Sequence, residues 1–441
     1  MKIYLTSLGC DKNLVDGEVM LDLIIKDGHT VTNDETDADA VVVNTCGFIK
    51  SATEESVETI LRMAERKKSG AYLIVAGCMA ERYGAEVTRE LPEADAVIGT
   101  RDYETITEVI SRLSVGESHI AEFSGKNTGA PRGRVLSAPS HYASLKIAEG
   151  CDNRCAYCVI PKLRGGYISR DIDGLVRETE SLAACGVKEI MLVAQDTTLY
   201  GVDLYGEPRL PELIRKISNV AGVEWIRVLY AYPERVTDAL IREMAANPKV
   251  CNYIDMPVQH ADDGVLRRMG RRTTRASLIE KISALRETVP NVCIRSTVMA
   301  GFPGESEKEF LCLLDFIRET GFERLGAFAY SREEGTPAYK MPGQLPEKEK
   351  TRRKNECLRI QKEISNIKMK RMIGKTVKII VDGRLPDKNV CCGRSYMDCP
   401  DVDGMVFFES PREIVSGTFA DVKITGSSDY DLHAELIKLY D

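Results

Sequence analysis

The sequence predicts an α/β protein in three parts: a parallel α/β domain, a second α/β domain, and a small C-terminal β-barrel. Three observations predict it. From residue 1 to about 125, short apolar runs rich in β-branched residues alternate with apolar residues at helical spacing. The alternation restarts near residue 140 and continues to about residue 335. Beyond residue 370 it gives way to short runs separated by turn residues, the pattern of a small barrel.

In the first part, residues 2–8, 40–44, 72–76 and 96–98 read as buried strands, and 14–26 and 51–67 as helices. Strand–helix alternation of this kind favours a parallel sheet. Residues 122–137, with Gly125, Gly129, Pro131 and Gly133, have the composition of a linker. In the second part the strands are expected at 142–148, 189–194, 225–230, 253–256, 292–299 and 324–330. The helices between them are expected at 171–185, 211–220, 234–246, 276–288 and 305–320. Six such units fit a partial or a complete β/α barrel, and the pattern alone does not separate a partial barrel from an open sheet. A charged helix follows at 346–372, then short runs at 375–381, 404–408, 414–424 and 433–439. The expected domains are therefore 1–125, 137–370 and 371–441.

A net charge of −7 gives no global basic footprint for nucleic acid. The opening Met-Lys-Ile-Tyr-Leu-Thr-Ser-Leu-Gly is too short and polar for a signal peptide, and no run of eighteen apolar residues occurs. These features predict a cytoplasmic protein without a membrane span. In that reducing compartment structural disulfides are rare, yet the chain has 14 cysteines. Some are then expected to be metal ligands.

Cys151, Cys155 and Cys158 fall within eight residues, after an expected strand. Three thiolates so placed can reach one centre and leave a coordination position open. A zinc site with a distant fourth ligand is the competing reading, although zinc cysteines usually recur as close pairs. A second set is dispersed: Cys10, Cys46 and Cys78 each follow a different expected strand, beside Gly9, Gly47 and Gly77. The carboxyl edge of a parallel sheet is where ligands bind, and glycine lets backbone approach a bulky group.

Cys-x3-Cys-x2-Cys at the start of a β/α barrel, with Tyr157 before the last cysteine, resembles the radical-SAM signature. The resemblance implies a partial barrel and a four-iron, four-sulfur cluster whose open iron chelates S-adenosylmethionine, yielding a 5′-deoxyadenosyl radical on reduction. Together with the N-terminal cysteines, the chain resembles the radical-SAM methylthiotransferases over nearly its whole length. That likeness implies a second four-iron, four-sulfur cluster on Cys10, Cys46 and Cys78, which handles the transferred sulfur. Leu8-Gly-Cys10-Asp-Lys-Asn-Leu-Val-Asp16 and Ala194-Gln-Asp-Thr-Thr198 look like the branch that modifies an aspartate of small-subunit ribosomal protein twelve. The transfer-RNA branch more often has Gly-Cys-Gln-Met-Asn at the first place. Asp11 and Gly17 depart from the proline and serine expected of the ribosomal branch.

The expected reaction is methylthiolation of an aspartate β-carbon; the alternatives are methylthiolation of transfer-RNA adenosine and a non-enzymatic iron–sulfur redox protein. The family likeness further implies S-adenosylmethionine contacts from Tyr157, Gln195, Asp196, Gly301 and Phe302. Expected partners are the basic ribosomal protein and an electron donor such as flavodoxin or ferredoxin, for a chain that acts as a monomer. The C-terminal module resembles a TRAM domain. From residue 381 to 441 it carries 12 Asp or Glu against 6 Lys or Arg, a poor RNA binder suited to a basic partner.

Other groups carry weaker signals. Arg267, Arg268, Arg271, Arg272 and Arg275 suggest a solvated loop, with contact to a substrate carboxylate or ribosomal RNA as the alternative. Gln259 and His260, after the fourth barrel strand, fit a cavity lining or a structural role equally. Cys185, Cys251, Cys293, Cys312 and Cys357 suit core positions, and Cys391, Cys392 and Cys399 lack a nearby fourth ligand.

Overall fold

A computed structural model describes residues 1–125, 133–137, 140–386 and 388–440. Gly129 and Pro131 of the expected linker lie outside them, as do Asp387 and Asp441 of the acidic count.

The first sheet contains β1 (Lys2–Ser7), β2 (Thr30–Val31), β3 (Ala40–Thr45), β4 (Tyr72–Gly77), β5 (Ala96–Gly99) and β6 (Ile120–Glu122). All are parallel, in the order β2-β1-β3-β4-β5-β6. Its central strands are buried on both faces. Val42 and Ile74 pack with Met20, Ile24 and Val109, while Val41, Val43 and Val75 pack with Ile60 and Met63. This is the two-residue alternation of a strand sandwiched between helical layers. The helix Asp11–Lys26 starts directly at Cys10, earlier than expected. Cys78–Tyr83, Ala85–Glu90 and Ile106–Ser114 are further helices. The first two have six residues each, too few for a periodic signal.

Residues 133–137 are no loose tether. The Arg134 guanidinium pairs with Glu18 and with Glu178, both at 3.3 Å, and so ties the first domain to the helix Ile172–Ala184.

The second sheet contains β7 (Tyr142–Lys146), β10 (Glu189–Val193), β11 (Trp225–Val228), β12 (Val250–Asp255), β13 (Cys293–Ala300) and β14 (Arg324–Ala329). These six parallel strands run β14-β13-β12-β11-β10-β7 without closing, a partial barrel. Two short antiparallel strands, β8 (Ala148–Glu149) and β9 (Ile168–Ser169), clasp the base of the Cys151–Cys158 loop. The helix Glu347–Lys370 lies along the β14 edge, where the Gln361 amide donates to the Phe322 carbonyl at 3.0 Å.

The C-terminal module is a closed barrel of β15 (Thr376–Arg384), β16 (Val390–Ser395), β17 (Val406–Glu409), β18 (Phe419–Ser427) and β19 (Leu432–Leu439). Strand β16 escaped the sequence reading, and residues 414–418 precede β18 instead of belonging to it. Both differences have one cause: these strands carry cysteine, glycine and polar residues whose pairing is set by neighbours distant in sequence.

This barrel plugs the amino ends of the second sheet's strands. Glu189, fully buried, accepts from Arg227 at 2.8 Å and from Arg394 at 2.6 Å. Asp398 pairs with Arg324 at 2.5 Å, and Asp403 accepts from the Tyr253 hydroxyl at 2.8 Å. The acidic surface expected of this module is thus smaller than its composition implied, because Asp382, Asp398 and Asp403 are taken up in internal pairs.

Candidate metal centres

Cys10, Cys46 and Cys78 follow β1, β3 and β4, which are neighbours in the sheet, so the order of strands carries the three thiols to one edge. Gly9 has φ +93, and a Cβ there would stand 2.9 Å from the Cys46 sulfur. Only glycine lets this turn approach that cysteine. The thiols sense one another. Burial raises Cys46 and Cys78, the latter to about 11, and Cys10 lies near enough to both to push them further.

The second triplet sits on a fastened loop. Cys151 N–H donates to Gly165 O at 3.1 Å, and Ala156 N–H to Met269 O at 2.8 Å. Burial pushes Cys151 up to about 11 and Cys158 up to about 12. Burial raises the core thiols Cys251 and Cys357 in the same way, so it is the placement of the cysteines that marks these loops. Among the described residues no three His, Cys, Asp or Glu side chains close to single-ion spacing. Donors suited to a thiolate are present: the Tyr232 hydroxyl lies 2.6 Å from Cys155 Sγ, and Ile160 N–H points at Cys158 Sγ from 3.4 Å.

A buried charge network, built in part from residues that flank the second triplet in sequence, reaches the first. Arg164, at the end of the helix Ile160–Arg164 that follows the loop, donates through Nη1 to Asp16 at 3.0 Å and to Glu149 at 3.0 and 3.1 Å. Its Nη2 faces Asn13 Oδ1 at 3.4 Å and Cys78 Sγ at 3.5 Å. Lys146 bonds Asp16, and Glu149 at 2.8 Å. Against the penalty of burial, Arg164 and Lys146 hold Glu149 well below the usual carboxylate range. In Asp16 burial wins and the carboxyl is raised.

The five residues expected to touch S-adenosylmethionine divide in two groups. Gln195 donates to Glu149 at 2.8 Å, while its own carbonyl oxygen is buried without a partner among the described residues. Asp196 has no exposure, and its carboxylate already accepts from Asn153 at 3.0 Å, Arg235 at 2.5 Å and Thr198 N–H at 3.0 Å. It anchors the cysteine loop through Asn153. Across the sheet, Tyr157 and Phe302 share an apolar cluster with Val265, Met269 and Tyr330. Gly301, with φ +79, presses against the Lys350 side chain. The N–H groups of Gly301 and Phe302 both donate to Glu305, at 2.9 and 3.2 Å, which fixes the turn and occupies those donors.

A cavity of about 630 Å³ borders the loop, lined by Arg154, Cys155, Tyr167, Tyr232, Arg235 and Arg272 among others. The arginine run does not form a uniformly solvated loop. Arg267 and Arg272 are exposed, but Arg271 is buried, stacked 3.9 Å from the Tyr232 ring centroid. Cys185, expected in the core, is exposed. His260 is fully buried, takes the Asp262 N–H at 3.0 Å and faces Glu305.

Arg164, Glu149, Lys146, Tyr232 and Tyr230 gave no sequence signal. Tyr230 receives the Lys12 ammonium 3.3 Å from its ring centroid and donates to Asp11 at 3.1 Å. Each of these contacts to the first domain spans more than 80 residues, beyond any local pattern.

Comparison with known proteins agrees with this organisation. Residues 2–99 match the Uncharacterized protein family UPF0004, residues 145–317 the Radical SAM superfamily, and residues 373–437 a TRAM domain. Ribosomal protein uS12 methylthiotransferase RimO of Lachnoclostridium phytofermentans is 48% identical, the match covering 98% of this chain and 99% of that one. The protein of the same name from Geobacter sulfurreducens is 45% identical over 99% of this chain and 98% of its own. Among solved structures, the radical S-adenosylmethionine methyltransferase TsrM from Kitasatospora setae shares the fold, with TM-score 0.58 and 14% identity. That match covers 76% of this chain and 73% of TsrM.

Proposed function

This chain belongs to the RimO family of ribosomal protein uS12 methylthiotransferases, and from that premise we propose that it places a methylthio group on the β-carbon of a uS12 aspartate. The family works with S-adenosylmethionine and [4Fe–4S] clusters. In this reading Cys151, Cys155 and Cys158 hold the cluster that binds S-adenosylmethionine, and Cys10, Cys46 and Cys78 hold the sulfur-handling one. When bound, these groups supply a carbon-centred radical and a transferable methylthio sulfur, the means of substituting an unactivated C–H bond.

The chain's own work is to bind, orient and exclude water. Glu149 holds the Gln195 side chain in place, and its carbonyl oxygen, without a partner among the described residues, would be free to accept from bound S-adenosylmethionine. Asp196 orients the cysteine loop through Asn153. Tyr157 and Phe302 form a dry wall, and Glu305 keeps the Gly301 turn in register beside it. The observation that carries the reading is that both cysteine triplets sit on strand-end loops, and that Arg164, six residues past the second triplet, reaches Cys78 of the first. A basic ribosomal protein as substrate, an electron donor such as flavodoxin or ferredoxin, action as a monomer and a cytoplasmic setting complete the proposal. No helix among the described residues is long and apolar enough to cross a membrane.

Mass spectrometry of uS12 from cells with and without the gene tests it. One aspartate should gain the mass of a methylthio group in place of hydrogen only when the gene is present. An unmodified uS12 in both strains would refute the aspartate assignment.

A further inference from the structure

We propose that Arg164 is a positioning residue for the N-terminal cluster: it hydrogen-bonds the Cys78 thiolate and sets how readily that cluster accepts an electron. The inference rests on the ligand assignment given above for Cys10, Cys46 and Cys78.

Arg164 belongs by sequence to the other cysteine triplet, yet its side chain reaches the first domain. The guanidinium is 3% exposed and its two ends are used differently. Nη1 makes three close contacts to carboxylate oxygens. Nη2 has only long contacts, to Asn13 and to the neutral Cys78 thiol. Asp16 and Glu149 balance the charges of Lys146 and Arg164, so the network is neutral without any ligand. Its one lightly used donor therefore points at a sulfur that becomes anionic on binding iron, where a charge-assisted bond is strong. Charge and hydrogen bonds at cluster sulfurs set the reduction potential. A cation here favours the reduced, more negative cluster. Glu149 opposes it by neutralising the same guanidinium, and through Gln195 it links this balance to the S-adenosylmethionine side.

The test uses the full chain with Cys151, Cys155 and Cys158 replaced by alanine, so that only the N-terminal cluster remains. Iron content is measured, and the midpoint potential follows from an EPR-monitored redox titration. Arg164→Gln should disfavour reduction about tenfold, ~59 mV for a one-electron step. Arg164→Lys should fall between it and the parent, and Glu149→Gln should shift the midpoint the other way. Full iron with an unmoved midpoint in Arg164→Gln would overturn the inference and leave Arg164 a structural ion pair. If Arg164→Gln does not fold, Glu149→Gln decides, since a potential unchanged there overturns it equally. Absence of iron from the parent protein would instead overturn the ligand assignment, and the inference with it.

Discussion

Tyr232 sits between the cysteine loop and a buried arginine. Its hydroxyl is 2.6 Å from Cys155 Sγ, and the Arg271 guanidinium lies over its ring at 3.9 Å. Arg271 is in turn held by Glu234 at 3.2 Å. Once Cys155 is a thiolate, the hydroxyl is a donor to it, and a hydrogen bond to a charged group is worth about 1.5–3 kcal/mol. Tyr232→Phe removes that bond while keeping the ring and its cation contact. Reduction of the loop cluster should then become harder, with reductive cleavage of S-adenosylmethionine slowed about tenfold at unchanged iron content. Quantifying 5′-deoxyadenosine under limiting reductant checks it; an unchanged rate would show that the hydroxyl does not act on the cluster. The cysteines were legible because three of them recur within one loop. Tyr232 lies 77 residues from Cys155 and reaches it only when β11 takes its place in the sheet.

At the scale of elements, the C-terminal barrel is fixed to the second sheet by Glu189. Although burial opposes its ionisation, Arg394 and Arg227 hold its pKa below the usual carboxylate value. The sign follows from linkage. A carboxyl depressed in the folded state stabilises fully above its unfolded pKa of about 4.3, and the contribution fades as pH falls through the lower folded value. Docking of the barrel should therefore survive mild acid and fail only below the ordinary carboxylate range. The chain's one tryptophan reports it: Trp225 is buried at the amino end of β11 and meets the Phe419 ring edge-on at 5.1 Å. Glu189→Gln leaves the buried Arg227 guanidinium without its counter-charge and Arg394 with Asp382 alone, which costs about 3–5 kcal/mol. A urea titration followed by Trp225 fluorescence should show the midpoint falling accordingly. The acidic composition of this module misled because sequence cannot separate carboxylates facing solvent from those turned onto arginines of another domain.

Across the whole molecule, the first domain is fastened to the partial barrel near both edge strands, and to Tyr230 past β11 between them. At β7 the fastening is Lys146 and Arg164 with Asp16. Beyond β14 it is Glu333, 4% exposed, which pairs with Arg82 at 2.8 Å and accepts the Lys50 N–H at 2.9 Å. Arg82 also donates to Gly47 O at 2.8 Å, beside Cys46. The second latch thus holds the loop of a proposed ligand. Glu333→Ala should leave the folded core intact but release residues 47–50, with amide exchange at Lys50 faster by more than about tenfold. Hydrogen-exchange mass spectrometry of that segment measures it, and unchanged protection would place the holding force elsewhere.

By itself the sequence determined what lies within short windows: most strands and helices, the cysteine loop, and the placement of Cys10, Cys46 and Cys78 after successive strands. These are written in local periodicity and spacing, which need no knowledge of neighbours. Short or polar elements such as β16 and the helix Cys78–Tyr83 escaped for want of a periodic signal. Only the tertiary structure decided that the barrel stays open, that its base is plugged by an arginine–carboxylate lattice, and that Arg164 reaches Cys78 of the first domain. The reason is physical. A buried charge is tolerable only beside its partners, and for Arg164 those partners, Asp16 and Cys78, are 148 and 86 residues away, brought together by strand order and domain docking.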